Sequence, residues 1–191
     1  MNVLHPTLWR TCRVLANPVR LRVLRQICEN GESCVSETAR ACRLPQSSTT
    51  AALRALQARG LLAVRREGLY VIYAAQADDS AEHAAATLAA VRLAFRRRET
   101  PSEIMRAVTA FTHVRRIRIA QALVAGPIGA DTLAVVCGIS RPALYRHLDK
   151  LARRGVVAPS GDDAWQLRAP DSPLLRDLLN LVRAGRALGR Q

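Results

Sequence analysis

The strongest constraint on this chain is that it repeats. Displaced by 95 residues, "LPQSSTTAALRALQARG" (44–60) falls on "ISRPALYRHLDKLARRG" (139–155), with Leu53 on Leu148, Leu56 on Leu151 and Gly60 on Gly155. The same displacement carries Cys42 onto Cys137, Tyr70 onto Trp165 and Ile72 onto Leu167. Upstream, "ANPVRLRVLRQI" (16–27) meets "THVRRIRIAQAL" (112–123) at a displacement of 96. One residue has therefore been lost between the matched blocks, as a loop tolerates. Two copies are too few for a solenoid, so the chain reads as two similar domains.

Each copy spells the same order of elements. Leu8, Cys12 and Leu15 in the first copy, and Ile104, Val108 and Phe111 in the second, form the i, i+4, i+7 stripe of a first helix. A second helix opens at Asn17-Pro18 or at His113 and closes near "ENGES" or "AGPIG". A short third helix, around 36–42 or 131–137, meets a tight turn at "RLPQ" or "GISR", and the repeated helix follows. After Gly60 or Gly155 the period becomes extended. "GLLAVRREGLYVIYAA" and "GVVAPSGDDAWQLRA" each read as a hairpin. A last helix closes each copy, at about 79–98 and 173–187. Between the copies "TPSE" (100–103) is a capping box with Pro101 at the first helical position. The predicted domains are 1–98 and 99–191, joined without a flexible linker.

Hydrophobic residues make up 49% of the chain and aromatics only 4%, so the core must come from Leu, Val, Ile and Ala, which favours helices. The net charge is +14, and Lys150 is the single lysine among 29 cationic residues. Such a surplus selects polyanionic partners, nucleic acid foremost; the competing reading is a solvated basic surface. No stretch approaches the roughly 20 apolar residues of a membrane span, and the first residues lack a signal-peptide pattern. The expectation is a cytoplasmic protein, with no membrane association, whose five cysteines are reduced.

Three helices, a turn, a further helix, a hairpin and a closing helix make the order of a winged helix-turn-helix. The chain resembles the ArsR-like bacterial transcriptional regulators over nearly its whole length, twice. "LANPVRLRVLRQI" and "ESCVSETARACRLPQSSTTAALRALQARGLL" carry the likeness in the first copy, "FTHVRRIRIAQAL" and "GISRPALYRHLDKLARRGVV" in the second. The expected fold is mainly α with small β-hairpins (α+β), arranged as tandem winged helix-turn-helix domains. The resemblance implies a sequence-specific, DNA-binding transcriptional regulator acting as a repressor on double-stranded DNA, with room for a small-molecule effector. Relatives dimerise through their first and last helices, so that two recognition helices meet successive major grooves about 34–36 Å apart. The last helix here, with Leu174, Leu175, Leu178, Leu179, Leu181 and Val182, is apolar on more than one face. That favours a homodimer over a fused pair acting alone.

The two copies differ in what they offer DNA. On the second recognition helix Leu144, Leu148 and Leu151 face the core, while Pro142, Tyr145, Arg146, Asp149, Lys150 and Arg153 lie opposite. Ser140 is the expected N-cap, next to Arg141, and the helix N-terminus suits a phosphate. Arg146 has the fork geometry to read guanine, worth about 1–3 kcal/mol of discrimination. In the first copy the face is plainer: Ser47, Thr50, Ala51, Arg54, Ala55 and Ala58. Gln46, Ser47 and Ser48 match the family's contact positions there. The wings reverse the asymmetry, with Arg65 and Arg66 placed for phosphates in the first and Asp162 and Asp163 repelling them in the second.

Sensor and catalytic sites find little support. The soft-ion Cys-x-Cys pair of arsenic-type relatives is broken here, since Ser36 follows Cys34 in "ESCVSET". Around Asp79 and His83 there is no set of metal ligands at helical spacing, so neither a metal nor another cofactor is expected. Cys42, Cys137 and Cys12 read as small buried hydrophobes. Cys28 and Cys34 flank one short loop, which leaves a redox pair open. No glycine-rich phosphate loop or catalytic cluster appears, and His147 reads as packing beside its helix, so the chain is not expected to be an enzyme. The rival function is a winged-helix scaffold that binds protein without specific DNA binding.

Overall fold

Asn17 begins the second helix as its position suggests: its backbone is extended and its Oδ1 accepts the Arg20 N–H at 3.0 Å, with Pro18 at the first helical position. The computed structural model that shows this describes residues 7–81 and 83–188. It divides into two units, 1–105 and 106–191.

The first unit runs α1 (Leu8–Leu15), α2 (Pro18–Asn30), β1 (Ser33–Cys34), α3 (Val35–Cys42), α4 (Gln46–Gln57), β2 (Ala63–Glu67), β3 (Tyr70–Ala74) and α5 (Ala84–Arg96). Leu8, Cys12 and Leu15 bury the stripe of α1. Leu24 and Ile27 of α2, with Leu53 and Leu56 of α4, fill the space between the helices and are at most 1% exposed. The hairpin pairs Glu67 with Tyr70 across a loop of Gly68 and Leu69, and Gly68 takes a φ of 57° that the tight loop requires.

Helix α6 (Pro101–Ala110) spans the division between units. Its capping box is formed reciprocally: Thr100 N–H donates to Glu103 Oε2 at 2.7 Å and Glu103 N–H to Thr100 Oγ1 at 3.2 Å. The second unit continues with α7 (Val114–Ala122), a 3-10 turn (Leu123–Ala125), β4 (Ile128–Gly129), α8 (Ala130–Cys137), α9 (Arg141–Ala152), β5 (Val157–Pro159), β6 (Ala164–Leu167) and α10 (Pro173–Leu188).

Both sheets contain a strand that periodicity does not announce. Their orders are β1-β3-β2 and β4-β6-β5, so the two-residue strands just ahead of α3 and α8 complete each hairpin into three antiparallel strands. The architecture is mostly helical with small antiparallel sheets, the α+β winged helix-turn-helix class.

Two expectations change, and one turn takes an unannounced conformation. The last helix of the first copy begins at Ala84 rather than near 79, because Asp78 turns the chain: its carboxylate accepts from Ser80 N–H at 2.9 Å and Ser80 Oγ at 2.7 Å. Asn- or glycine-like geometry also appears without glycine. Arg43 closes α3 in the left-handed region at φ 51°, where Gly138 stands in the second unit at 62°. Finally, Leu174, Leu175, Leu178, Leu179 and Val182 are all buried within the single chain, and Gln121 of α7 donates to the Val182 carbonyl at 3.4 Å. Leu181 is half-buried, so among the described residues most of the apolar surface of α10 is covered by its own chain.

Candidate nucleic-acid interface

Helix α4 stands after the α3–α4 turn with its N-terminal half in solvent. Gln46, Ser47, Ser48 and Arg54 are exposed, and their side chains have no hydrogen-bond or ion-pair partner among the described residues. Thr50 differs: its hydroxyl donates back to the Gln46 carbonyl at 2.8 Å. The opposite side holds Thr49, Ala52, Leu53 and Leu56 in the core, which fixes the direction in which the polar side points.

The wing behind α4 treats its two arginines differently. Arg65 is held between carboxylates, at 2.8 Å from Glu32 and 2.5 Å from Glu67, and these pairs push its pKa further up. Arg66 is exposed and free of such partners among the described residues. Sequence spacing makes the two equivalent; the structure leaves only Arg66 unengaged.

The second unit offers a larger correction. Ser140 occupies the N-cap of α9 with extended backbone, but its side chain makes no capping bond. Arg141 sits 2.7 Å from Asp163 in the wing and 3.2 Å from Asp131 at the start of α8. Tyr145 donates its hydroxyl to the same Asp163 carboxylate, and the Arg141 guanidinium lies over its ring, 5.9 Å from the centroid. Asp163 in the wing therefore latches two residues at the start of α9 that the sequence assigns to DNA contact. Opposite charges 22 residues apart carry no local pattern, which is why sequence spacing missed the contact. Arg146 and Lys150, further along α9, are exposed and their side chains are unpartnered among the described residues.

His147 leans into the domain instead of outward. Its ring lies 4.8 Å from that of His113, the N-cap of α7. Burial, then His113, Arg116, Arg115 and Lys150, hold its pKa down at about 4, so it is neutral near pH 7.

The five cysteines are all free thiols. Cys34 is buried at the N-cap of α3, where its backbone N–H donates to Glu37 at 2.8 Å and its Sγ lies 3.0 Å from Ser36 Oγ. Cys28 instead faces α5 beside Arg92 and Phe95, and burial raises its thiol pKa against the opposing pull of Arg92. Burial likewise raises the thiols of Cys42 and Cys137. Among the described residues no group of three or more His, Cys, Asp or Glu is placed to hold a metal ion, and no helix is long and apolar enough to cross a membrane.

A three-helix body, an exposed helix after a tight turn and a three-stranded wing define a winged helix-turn-helix of the DNA-binding kind. Residues 17–64 match the family model described as bacterial regulatory protein, arsR family. The match runs from the Asn17 cap of α2 through α3 and α4 to the second residue of β2. The first unit thus carries an ArsR-family helix-turn-helix domain, the DNA-binding fold of a transcription regulator. No curated protein matches the chain.

Proposed function

We propose that the chain is a sequence-specific transcriptional repressor with tandem winged helices that meet double-stranded DNA unequally. The first unit docks through Gln46, Ser47, Ser48 and Arg54 of α4, with Arg66 of its wing on the backbone. The second reads a base edge with Arg146 and holds a phosphate with Lys150, while Arg141 and Tyr145 are withheld by Asp163. The observation that carries this reading is the exposed face of α4, where Gln46, Ser47, Ser48 and Arg54 are unpartnered among the described residues, inside the span that matches the regulator family. The repeated element order and sheet order support a duplicated unit, with copies at 1–98 and 99–191. Repression follows if the bound protein occupies its operator. The homodimer and the cytoplasmic setting enter through the family resemblance, and sedimentation of the purified chain tests the former.

A second reading is favoured by one observation. Val135 and Val136 on α8 are 81% and 62% exposed, an apolar pair suited to a protein partner rather than to DNA. On that reading the second unit is an interaction module. Titration of a genomic duplex at several salt concentrations separates the two. A DNA binder loses about 0.9 in log K per unit of log salt for each phosphate contacted. The repressor reading expects Arg66→Ala to weaken all sequences alike and Arg146→Ala to lower selectivity by about tenfold, at the low end of one guanine contact. Binding that is absent at low salt, or insensitive to salt, refutes it.

A further inference from the structure

Four arginines of the first unit converge on one hollow that no part of the DNA reading uses. Arg10 and Arg13 of α1, Arg20 of α2 and Arg59 just beyond α4 line a cavity of about 320 Å³, together with Trp9 and Val14. No carboxylate is among the lining residues. Arg10 stacks on the Trp9 ring at 5.2 Å, which turns one wall into a flat, cation-backed surface.

The telling group is Arg59. Its Nε and Nη1 are sequestered from solvent and have no hydrogen-bond partner among the described residues. Buried guanidinium N–H groups left without acceptors are costly, so such groups usually find a partner. Among the described residues that line the hollow, every other charged group is a further cation. Four guanidiniums held together repel one another unless an anion sits between them, and forked N–H donors match a phosphoryl group. The volume is at the lower end of small-ligand sites, which run from about 300 to 1,000 Å³.

The hollow is also at the wrong end of α4 for DNA. The twelve residues of α4 make it about 18 Å long, and Arg59 lies past its C-terminal end, whereas the exposed reading residues lie at its N-terminal end.

The geometry points to a binding site for a small phosphorylated ligand, with the phosphoryl group among Arg10, Arg13, Arg20 and Arg59 and any organic portion against Trp9 and Val14. It ties α1, α2 and the end of α4 together. The site stands independently of DNA binding, because its occupancy is read at Trp9.

Trp165→Phe in the full chain leaves Trp9 as the sole indole. Pyrophosphate added at constant ionic strength then changes Trp9 emission saturably, at one site per chain. Arg13→Gln, at an exposed position that the fold does not need, raises the half-saturating concentration about tenfold or more, as does Arg59→Gln. Arg40→Gln on α3 leaves it unchanged. Phenyl phosphate binding more tightly than inorganic phosphate assigns the apolar wall to an organic ester; equal binding assigns the site to the inorganic ion. An emission change reproduced by chloride, or lost equally in Arg13→Gln and Arg40→Gln, overturns the proposal. So does a fall of about 0.9 in the salt slope of duplex binding for Arg59→Gln, which makes the hollow a DNA-backbone contact.

Discussion

Replacing Asp163, which sits in the left-handed region at φ 53°, by alanine is expected to tighten DNA binding at a cost of about 1 kcal/mol in stability. Asp163 engages Arg141 at 2.7 Å and takes the Tyr145 hydroxyl, so its removal returns two side chains at the start of α9 to solvent. The pair is half-exposed, 50% and 47% at its two side chains, and pairs so exposed add little to stability. The gain lies in what Arg141 then does. One further phosphate contact steepens the salt slope by about 0.9, which is worth about eightfold in affinity at 0.1 M salt and about fourfold at 0.2 M. Asp131, 3.2 Å from Arg141, still competes, so eightfold is the ceiling for the single change and the double change with Asp131→Ala approaches it. Fluorescence anisotropy on a fixed operator duplex at four salt concentrations gives both slope and affinity. Asp162→Ala is the control, since it removes the same charge from the wing without touching the latch. Equal effects of Asp162→Ala and Asp163→Ala would mean that net charge alone is at work, and the latch would have no role.

Two further outcomes test the fold. Gly60 has φ 67°, and a Cβ there would meet the Ala81 Cβ at 2.7 Å; Gly155 has φ 77° with open space around it. Gly60→Ala should therefore cost about 2–5 kcal/mol in urea unfolding, from left-handed strain plus overpacking, and Gly155→Ala only about 1–2 kcal/mol from the strain. Comparable losses at both sites would show that the close approach of Gly60 to Ala81 carries no weight. For His147, the folded pKa of about 4 lies below the ordinary 6.5, so below pH 6.5 the unfolded chain takes up a proton that the folded one refuses. Stability from this group is fully present above pH 6.5, declines as pH falls toward 4, and levels off below. The urea midpoint of His147→Gln should fall less steeply across that window, and parallel profiles would contradict the assignment.

Elements with a strong local signature were readable in advance. The Asn17 cap, the Thr100–Glu103 box and the leucines of α4 and α9 each carry their information within a few residues, and the structure places them accordingly. The short strands β1 and β4 were not readable, since two residues hold no period and their pairing is defined only by strands some 40 residues later. Arg43 in a left-handed turn is the same problem, because its side chain gives no hint of a conformation that the matching glycine advertises. The site suffered most from long-range charge. Arg65 looked available until Glu32 came alongside it, and Arg141 and Tyr145 looked armed until Asp163 did. Charge counts along a helix face describe what a helix offers before tertiary neighbours take their share. The leucines of α10 pose a related problem: a pattern shows that a face is buried, not whether its cover comes from the same chain.

The strand that precedes α3 has a mechanical consequence. Ser33 and Cys34 are paired to Tyr73 and Ile72 of the hairpin, and Cys34 is at the same time the cap of α3. Wing and helix-turn-helix are thus soldered at one joint, with no slack residue between them. The hairpin strand β3 and the start of α3 are held to one another through two residues, and the turn that follows α3 positions α4. Lengthening the tip at Gly68–Leu69 would alter only reach, whereas one residue inserted before Cys34 would throw the aim of the whole reading head out of register.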